Sequence, residues 1–204
     1  MARMPSKSGT RVVKGHLGFE FSRDGYPTIV DIYNIRIEIT QDNRIALPSV
    51  TEVGGRIPRD QDHHVNHDGT LCLGSPFALQ RVLGMKATLV TFVEKCVIPF
   101  LYAASWRERG NQGYPFGELA HGRTGLLHDY EQSLKVKGEK AVCHALGALA
   151  RRRRVANKLP CPCGCGSLLS RCPYRDTINA IRSVGARSTF LHLWNEFGCA
   201  KFGC

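Results

Sequence analysis

Apolar and polar residues alternate along Leu17–Phe21 and again along Tyr33–Thr40, the pattern of strands with one buried face. Asp24-Gly25 stands before Tyr26–Ile39 as a turn pair, so the two runs read as a hairpin that opens a meander. Leu47–Val53 follows as a further strand with Pro48 near its start. The period then changes. Ser75-Pro76 reads as a helix start, Phe77–Leu83 as a short helix, and Lys86–Ala104 as a longer one, with Leu89, Phe92, Val93, Cys96, Val97, Phe100 and Leu101 at three- and four-residue spacings. Cys96 belongs to that apolar stripe and is assigned to the core, and Pro99 is expected to kink the helix. Ala104–Glu118 is a loop by its glycines and proline, Leu126–Leu134 an amphipathic helix, and Glu139–Asn157 and Ile178–Phe197 are helical in pattern. The first 14 residues are basic and polar and are expected to form a loose lead-in rather than a signal or membrane segment. With no run of about 18 apolar residues, the chain is expected to be soluble and cytoplasmic.

Charge changes this picture by dividing the chain. Residues 1–72 hold nine Lys/Arg and nine Asp/Glu, residues 73–134 six and five, and residues 135–204 thirteen and three, so the basicity lies in the last third. Arg151–Arg154 attract either a nucleic-acid backbone or an acidic protein surface, or form a solvated helix end favourable to the helix dipole. No RNA- or DNA-binding fingerprint accompanies them, so nucleic acid is not among the expected partners. The net +10 of this third instead points to an acidic, salt-sensitive partner surface.

The candidate chemistry centres on Asn66–Gly74, where Cys72 sits between Leu71 and Leu73 just after the Asp68-Gly69 turn. His63, His64 and His67 precede it, and an imidazole or amide near a thiol can activate it or hydrogen-bond a developing oxyanion. Cys72 is therefore a candidate nucleophile; the alternative is a small buried hydrophobe between two leucines. A second cluster, Cys161, Cys163, Cys165 and Cys172, places four thiols in twelve residues. In a reducing compartment such a set holds a tetrahedral zinc, and in an exported protein it would form disulfides. Thiol redox chemistry at Cys161, Cys163 and Cys165 is disfavoured, because the spacing is not Cys-x-x-Cys on a thioredoxin-like unit. Cys143 and His144 receive no role.

Strand, proline-led strand, histidine-rich loop and Gly69-x-Leu71-Cys72-Leu73, taken in that order, resemble the ubiquitin-conjugating enzymes over about residues 15–134. The resemblance implies an α/β (α+β) fold with an antiparallel meander and flanking helices, its family's first helix missing or reduced. It also implies a catalytic Cys72 that accepts a ubiquitin-like protein from an activating enzyme as a thioester and passes it to a target. Gly69 falls on the family's turn glycine. Asp62-His63-His64 replace its His-Pro-Asn triplet, so His64 stands where the family has the oxyanion-stabilising asparagine, with Asn66 two positions later as a substitute. This departure is similar to bacterial relatives in ubiquitin-like operons, which implies antiphage defence. In such enzymes loops after the long helix border the site, where Trp106 and Tyr114 are candidates to flank it and His121 to assist. The residues from 135 on would be a separable basic extension, and a chain ending near Lys137 is expected still to charge Cys72. Its cysteine run resembles the SEC-C zinc motif, with Cys161, Cys163 and Cys172 in register and Pro173 at the fourth ligand's place. Cys165 is the first candidate to complete the set, followed by His192, Cys199 and Cys204. A second reading is an inactive conjugating-fold scaffold whose basic zinc tail binds nucleic acid or a protein partner.

Overall fold

The computed structural model describes residues 2–5, 9–40, 47–117 and 122–202, and divides into two compact units. The first comprises residues 1–74 and 88–119, the second residues 75–87 and 120–204.

The first unit is a four-stranded antiparallel sheet in the order β1 (Ala2–Pro5), β2 (Arg11–Arg23), β3 (Tyr26–Ile39), β4 (Ser49–Glu52). The β2–β3 hairpin turns at Asp24-Gly25 as expected, with Gly25 at φ 80°. The lead-in expectation is corrected: residues 11–14 belong to β2, and residues 2–5 pair with it from Ala2↔Lys14 to Pro5↔Arg11. Four residues show no alternation of their own, and the open edge of β2 supplies the backbone partners. The strand expected over Leu47–Val53 is shorter, and its last residue Glu52 is buried.

One helical run lies over the sheet: α2 (Leu89–Phe92), a π-helical turn (Val93–Val97) and α3 (Ile98–Glu108). The widened turn directly precedes Pro99, where a missing N–H and the ring would strain an α-helical ladder. Inward-facing Ile29, Tyr33, Ile35 and Ile37 of β3 form the core with Phe92, Val97, Leu101 and Tyr102. The run has the length and composition of a membrane span, but its buried residues serve this core: the Tyr102 hydroxyl donates to Pro27 O at 2.9 Å and the Tyr102 ring lies 5.2 Å from that of Phe21. Cys96 is buried, and burial pushes its thiol up to about 11, as befits a core residue.

Asp31 shares the inward face of β3, a costly place for a charge. Arg56 grips it through Nη1–Oδ1 at 2.8 Å and Nη2–Oδ2 at 3.1 Å, and Ser105 Oγ donates to Oδ2 at 2.8 Å. The Arg56 guanidinium also bonds Glu108 at 2.5 Å and lies 4.1 Å over the Tyr33 ring. Glu52 orients this arginine by accepting from the N–H groups of Gly54, Gly55 and Arg56 at 2.6, 2.8 and 3.0 Å. A Cβ on Gly54 would meet Glu52 Oε1 at 2.6 Å, so a larger residue there would push the Glu52 carboxylate out of its place. The Arg56 hydrogen bonds hold the Asp31 carboxyl well below the usual carboxylate range. A depressed pKa gives stability that is present above the unfolded value of about 3.9 and is lost as pH falls below it toward the folded value. Asp31→Asn should cost about 2 kcal/mol at pH 7 and flatten the loss of urea resistance as pH falls below about 4. Parallel pH profiles for the two proteins would remove Asp31 from this role.

The second unit is helical: α1 (Pro76–Leu83), α4 (Gly122–Leu134), α5 (Glu139–Ala150), α6 (Arg153–Ala156), α7 (Tyr174–Ile181) and α8 (Arg187–Glu196). Ser75 caps α1 by accepting from Ala78 N, followed by proline in the first turn. The core is built on α5, whose Val142, Cys143, Ala145, Leu146, Ala148 and Leu149 are all buried. Phe77 of α1 packs on Tyr130 of α4 and Phe190 of α8, with ring centroids 5.5 and 6.4 Å apart. The compact units therefore do not divide at 134/135, because α1 and α4 share the core of α5. A chain ending at Lys137 would strip both of that partner. Two expected helices are each broken. Arg151 and Arg152 are extended between α5 and α6, and residues 182–186 separate α7 from α8. A disulfide joins Cys143 of α5 to Cys199, both fully buried.

Candidate functional site

Cys72 lies half-buried at the end of a short segment that closes the free side of β4. Thr70 bridges Thr51, and Leu71 N donates to Val50 O at 2.7 Å. The segment folds back through the 66–70 turn, where Gly69 has φ 82° and its N–H donates to Asn66 O at 2.8 Å. Val65 then bridges Leu71, and Cys72 N donates to His64 O at 2.7 Å, which sets His64 opposite the cysteine.

His64 is 9% exposed and left-handed, with φ 54° and ψ 42°. A non-glycine residue is uncommon there, and such strain persists only where surrounding contacts impose it. Three contacts do so here. Its N–H donates to Gln61 O at 3.0 Å, its carbonyl takes the Cys72 N–H, and its ring meets Tyr114 edge-on at 4.5 Å. Tyr114 is fixed in turn: its hydroxyl donates to Asp62 O at 2.6 Å and accepts from Arg107 Nη1 at 2.6 Å, while Arg107 also donates to Asp62 O. The loop before the cysteine is thus clamped from α3 and from the segment after it.

Asn66 is exposed, and its amide donates to Thr70 Oγ1 at 3.0 Å. Thr70 Oγ1 donates to Asp68 at 2.6 Å, and these Thr70 hydrogen bonds lower the Asp68 carboxyl. The amide therefore braces the turn. His63 Nδ1 lies 2.6 Å from Asp60, whose carboxyl that contact lowers, and His67 is exposed at the turn. Trp106 packs edge-on against Tyr26 at 5.3 Å and pins the hairpin. His121 and Cys204 lie outside the described residues. A cleft of about 270 Å³ opens beside the clamp, walled by Tyr33, Pro58, His63, Phe100, Arg107 and Tyr114 among others, and Cys72 is not in its wall. Sequence reasoning named Tyr114 for its loop but missed Arg107, which lies 45 residues from the carbonyl it holds.

In the second unit Cys161, Cys163, Cys165 and Cys172 converge, their sulfurs all within 4.8 Å of one another. The residues fold as a tight knuckle. Pro160 bridges Leu168, Cys161 N donates to Ser167 O at 2.8 Å, and Gly164 and Gly166 take φ of 80° and 76°. Zn–S bonds of about 2.3 Å set tetrahedral S–S edges of about 3.8 Å. The Cys163–Cys172 separation of 3.6 Å is close to such an edge and the Cys161–Cys163 separation of 3.2 Å is shorter, so the four sulfurs are near enough together to hold a metal ion. Donation from Ser167 N–H and then from the Cys163 thiol lowers the exposed Cys165 to about 7, while burial pushes Cys161 up. Cys165 is thus the fourth sulfur of the cluster. Cys199 is committed to its disulfide, and His192 Nε2 lies 3.2 Å from Glu196. His144 stays on α5, its basicity lowered by partial burial.

Comparison with protein-family models, with curated proteins and with solved structures gives no match.

Proposed function

We propose that this protein is a conjugating enzyme for a ubiquitin-like protein, with Cys72 as its carrier nucleophile. The observation that carries the reading is the half-buried Cys72, whose backbone N–H is anchored on a strained, clamped His64. An antiparallel meander, a glycine turn, an apolar-Cys-Leu segment and a helix over the sheet, in that order, agree with the conjugating-enzyme fold. The Cys72 thiolate attacks the thioester carbonyl presented by the activating enzyme, a new C–S bond forms, and the activating enzyme leaves as its thiolate. An amine or hydroxyl of the target then attacks the Cys72 thioester, losing its proton while the Cys72 thiolate departs. Cysteine suits both steps because its thiolate is a good nucleophile and a good leaving group. His64 is the candidate donor to the oxyanion of the second step, and the resemblance to bacterial relatives is the ground for proposing a part in antiphage defence. In the second unit the four thiolates hold one structural zinc, a closed set that leaves no position for substrate.

The deciding experiment incubates the protein with ATP and with candidate activating and ubiquitin-like proteins. A reductant-labile adduct on Cys72 is expected. The inactive-scaffold reading draws on the Asn66 amide, which bonds Thr70. Absence of any adduct with a competent activating enzyme would favour it. Loss of the His64 ring should spare loading but slow discharge to an amine by about 100- to 1,000-fold, the usual cost of one oxyanion donor. Equal single-turnover discharge by His64→Ala and the parent would leave the histidine only a structural part.

A further inference from the structure

The second unit carries the protein's whole net charge: sixteen Lys/Arg against five Asp/Glu, where the first unit has twelve of each. Its acids are spent on particular cations or local hydrogen bonds. Glu139 takes Arg123 and Lys201, Asp176 takes Arg175, Glu196 takes His192, Asp129 accepts from Ser75, and Glu131 accepts from Gly138 N. Arg152, Arg153, Arg154, Lys158, Arg171 and Arg187 are exposed and have no carboxylate partner among the described residues.

Folding gathers these cations from separate stretches. Arg182, just past α7, donates to Ala148 O at 2.7 Å and to Arg151 O at 2.9 Å, which brings the segment leading to Arg187 against the start of the arginine run. Ser170 N donates to Asn157 O at 3.2 Å and Leu169 N to Leu159 O at 2.9 Å, which brings Arg171 against the stretch that ends the run. Arg182 lies near two of these cations: after burial, Arg153 and Arg187 weaken its hold on its proton. Like charges massed without partners destabilise a folded unit, so the arrangement answers to a polyanion. Guanidinium forks suit phosphate oxygens, while a protein interface needs a buried aromatic or aliphatic anchor. The large apolar side chains exposed near these cations come singly from three separate stretches: Val155, Leu168 and Leu191, at 46%, 40% and 49% exposure.

We infer that the arginine-rich surface of the second unit, centred on Arg151–Arg154 with Arg171 and Arg187, binds the phosphate backbone of nucleic acid without regard to sequence. The expectation from sequence that nucleic acid is no partner rested on the missing fingerprint, and backbone binding needs none. The inference does not depend on the chemistry of Cys72.

The test measures fluorescence anisotropy of a labelled mixed-sequence DNA duplex with the full chain from about 50 to about 200 mM salt. Binding should weaken steeply with salt. Replacement of Arg152, Arg153 and Arg154 by glutamine should lower affinity at least about tenfold and reduce the log–log salt slope by about three. Arg171→Gln with Arg187→Gln should lower both by less, and serves if the triple variant fails to fold. Arg36→Gln, in the first unit, should change neither. Absence of binding at about 50 mM salt, an unaffected folded triple variant, or an equal loss with Arg36→Gln would overturn the inference. Labelled polyglutamate bound as tightly as the duplex would overturn it in favour of an acidic protein partner.

Discussion

Cys72→Ser is expected to abolish the reductant-labile adduct while leaving the fold unchanged. The substitution exchanges one half-buried sulfur for oxygen, and the local backbone does not depend on that atom: Cys72 N still reaches His64 O and Leu71 N still reaches Val50 O. What changes is chemistry. A hydroxyl is far less acidic than a thiol, so little nucleophile exists at neutral pH without a base to activate it, and an oxyester, once formed, resists thiols. The Ser variant should show either no adduct or a slow, thiol-resistant one that survives on a reducing gel. Cys96→Ser and Cys165→Ser serve as comparisons that leave Cys72 in place. A thiol-sensitive adduct persisting on the Cys72 variant would move the nucleophile elsewhere and end the reading. So would thiol-insensitive labelling at a lysine in both proteins.

The parts of this molecule that periodicity can express were legible. The β2–β3 hairpin followed from alternation and Asp24-Gly25, and the helix over the sheet from its apolar stripe. The cysteine cluster was legible for a different reason, since its four thiols lie within twelve residues and local backbone geometry converges them. Features made by long-range contact left no mark on any window of sequence. Arg182 caps the carbonyls at the end of α5 from 31 and 34 residues away, and this breaks a helix that four arginines, good helix formers, would be expected to continue. Phe77 belongs to the second unit because Tyr130 and Phe190 surround it, which no reading of residues 75–87 reveals. The strain at His64 was hidden similarly. Its residue type suggested chemistry, but its left-handed backbone is imposed by Cys72, Gln61 and Tyr114 from three places in the chain.

Removal of metal should melt the Cys161–Cys172 knuckle and leave the rest of the second unit folded, provided the Cys143–Cys199 bond is intact. The knuckle has little core of its own. Cys163–Leu168 are exposed, and inward support comes from Cys161, Leu169 and the backbone bonds of Cys161 N and Leu169 N. Protein purified under reducing conditions should carry about one zinc per chain, and the affinity should fall with acidity, because thiolates must be deprotonated to bind. The disulfide encloses the knuckle in a loop whose ends are 56 residues apart. Closing a loop of that size constrains the unfolded chain by about 4 kcal/mol, so it holds α5 to the C-terminal turn when the knuckle opens. Chelator should therefore expose protease sites within residues 160–172 of the oxidised protein, and lower its melting temperature less than that of a Cys143→Ser, Cys199→Ser protein. Thiol titration supplies the independent check: seven of the nine cysteines should react in chelator and denaturant without reductant. A count of nine would remove the disulfide, and a metal-free protein whose knuckle resists protease unchanged would remove the zinc.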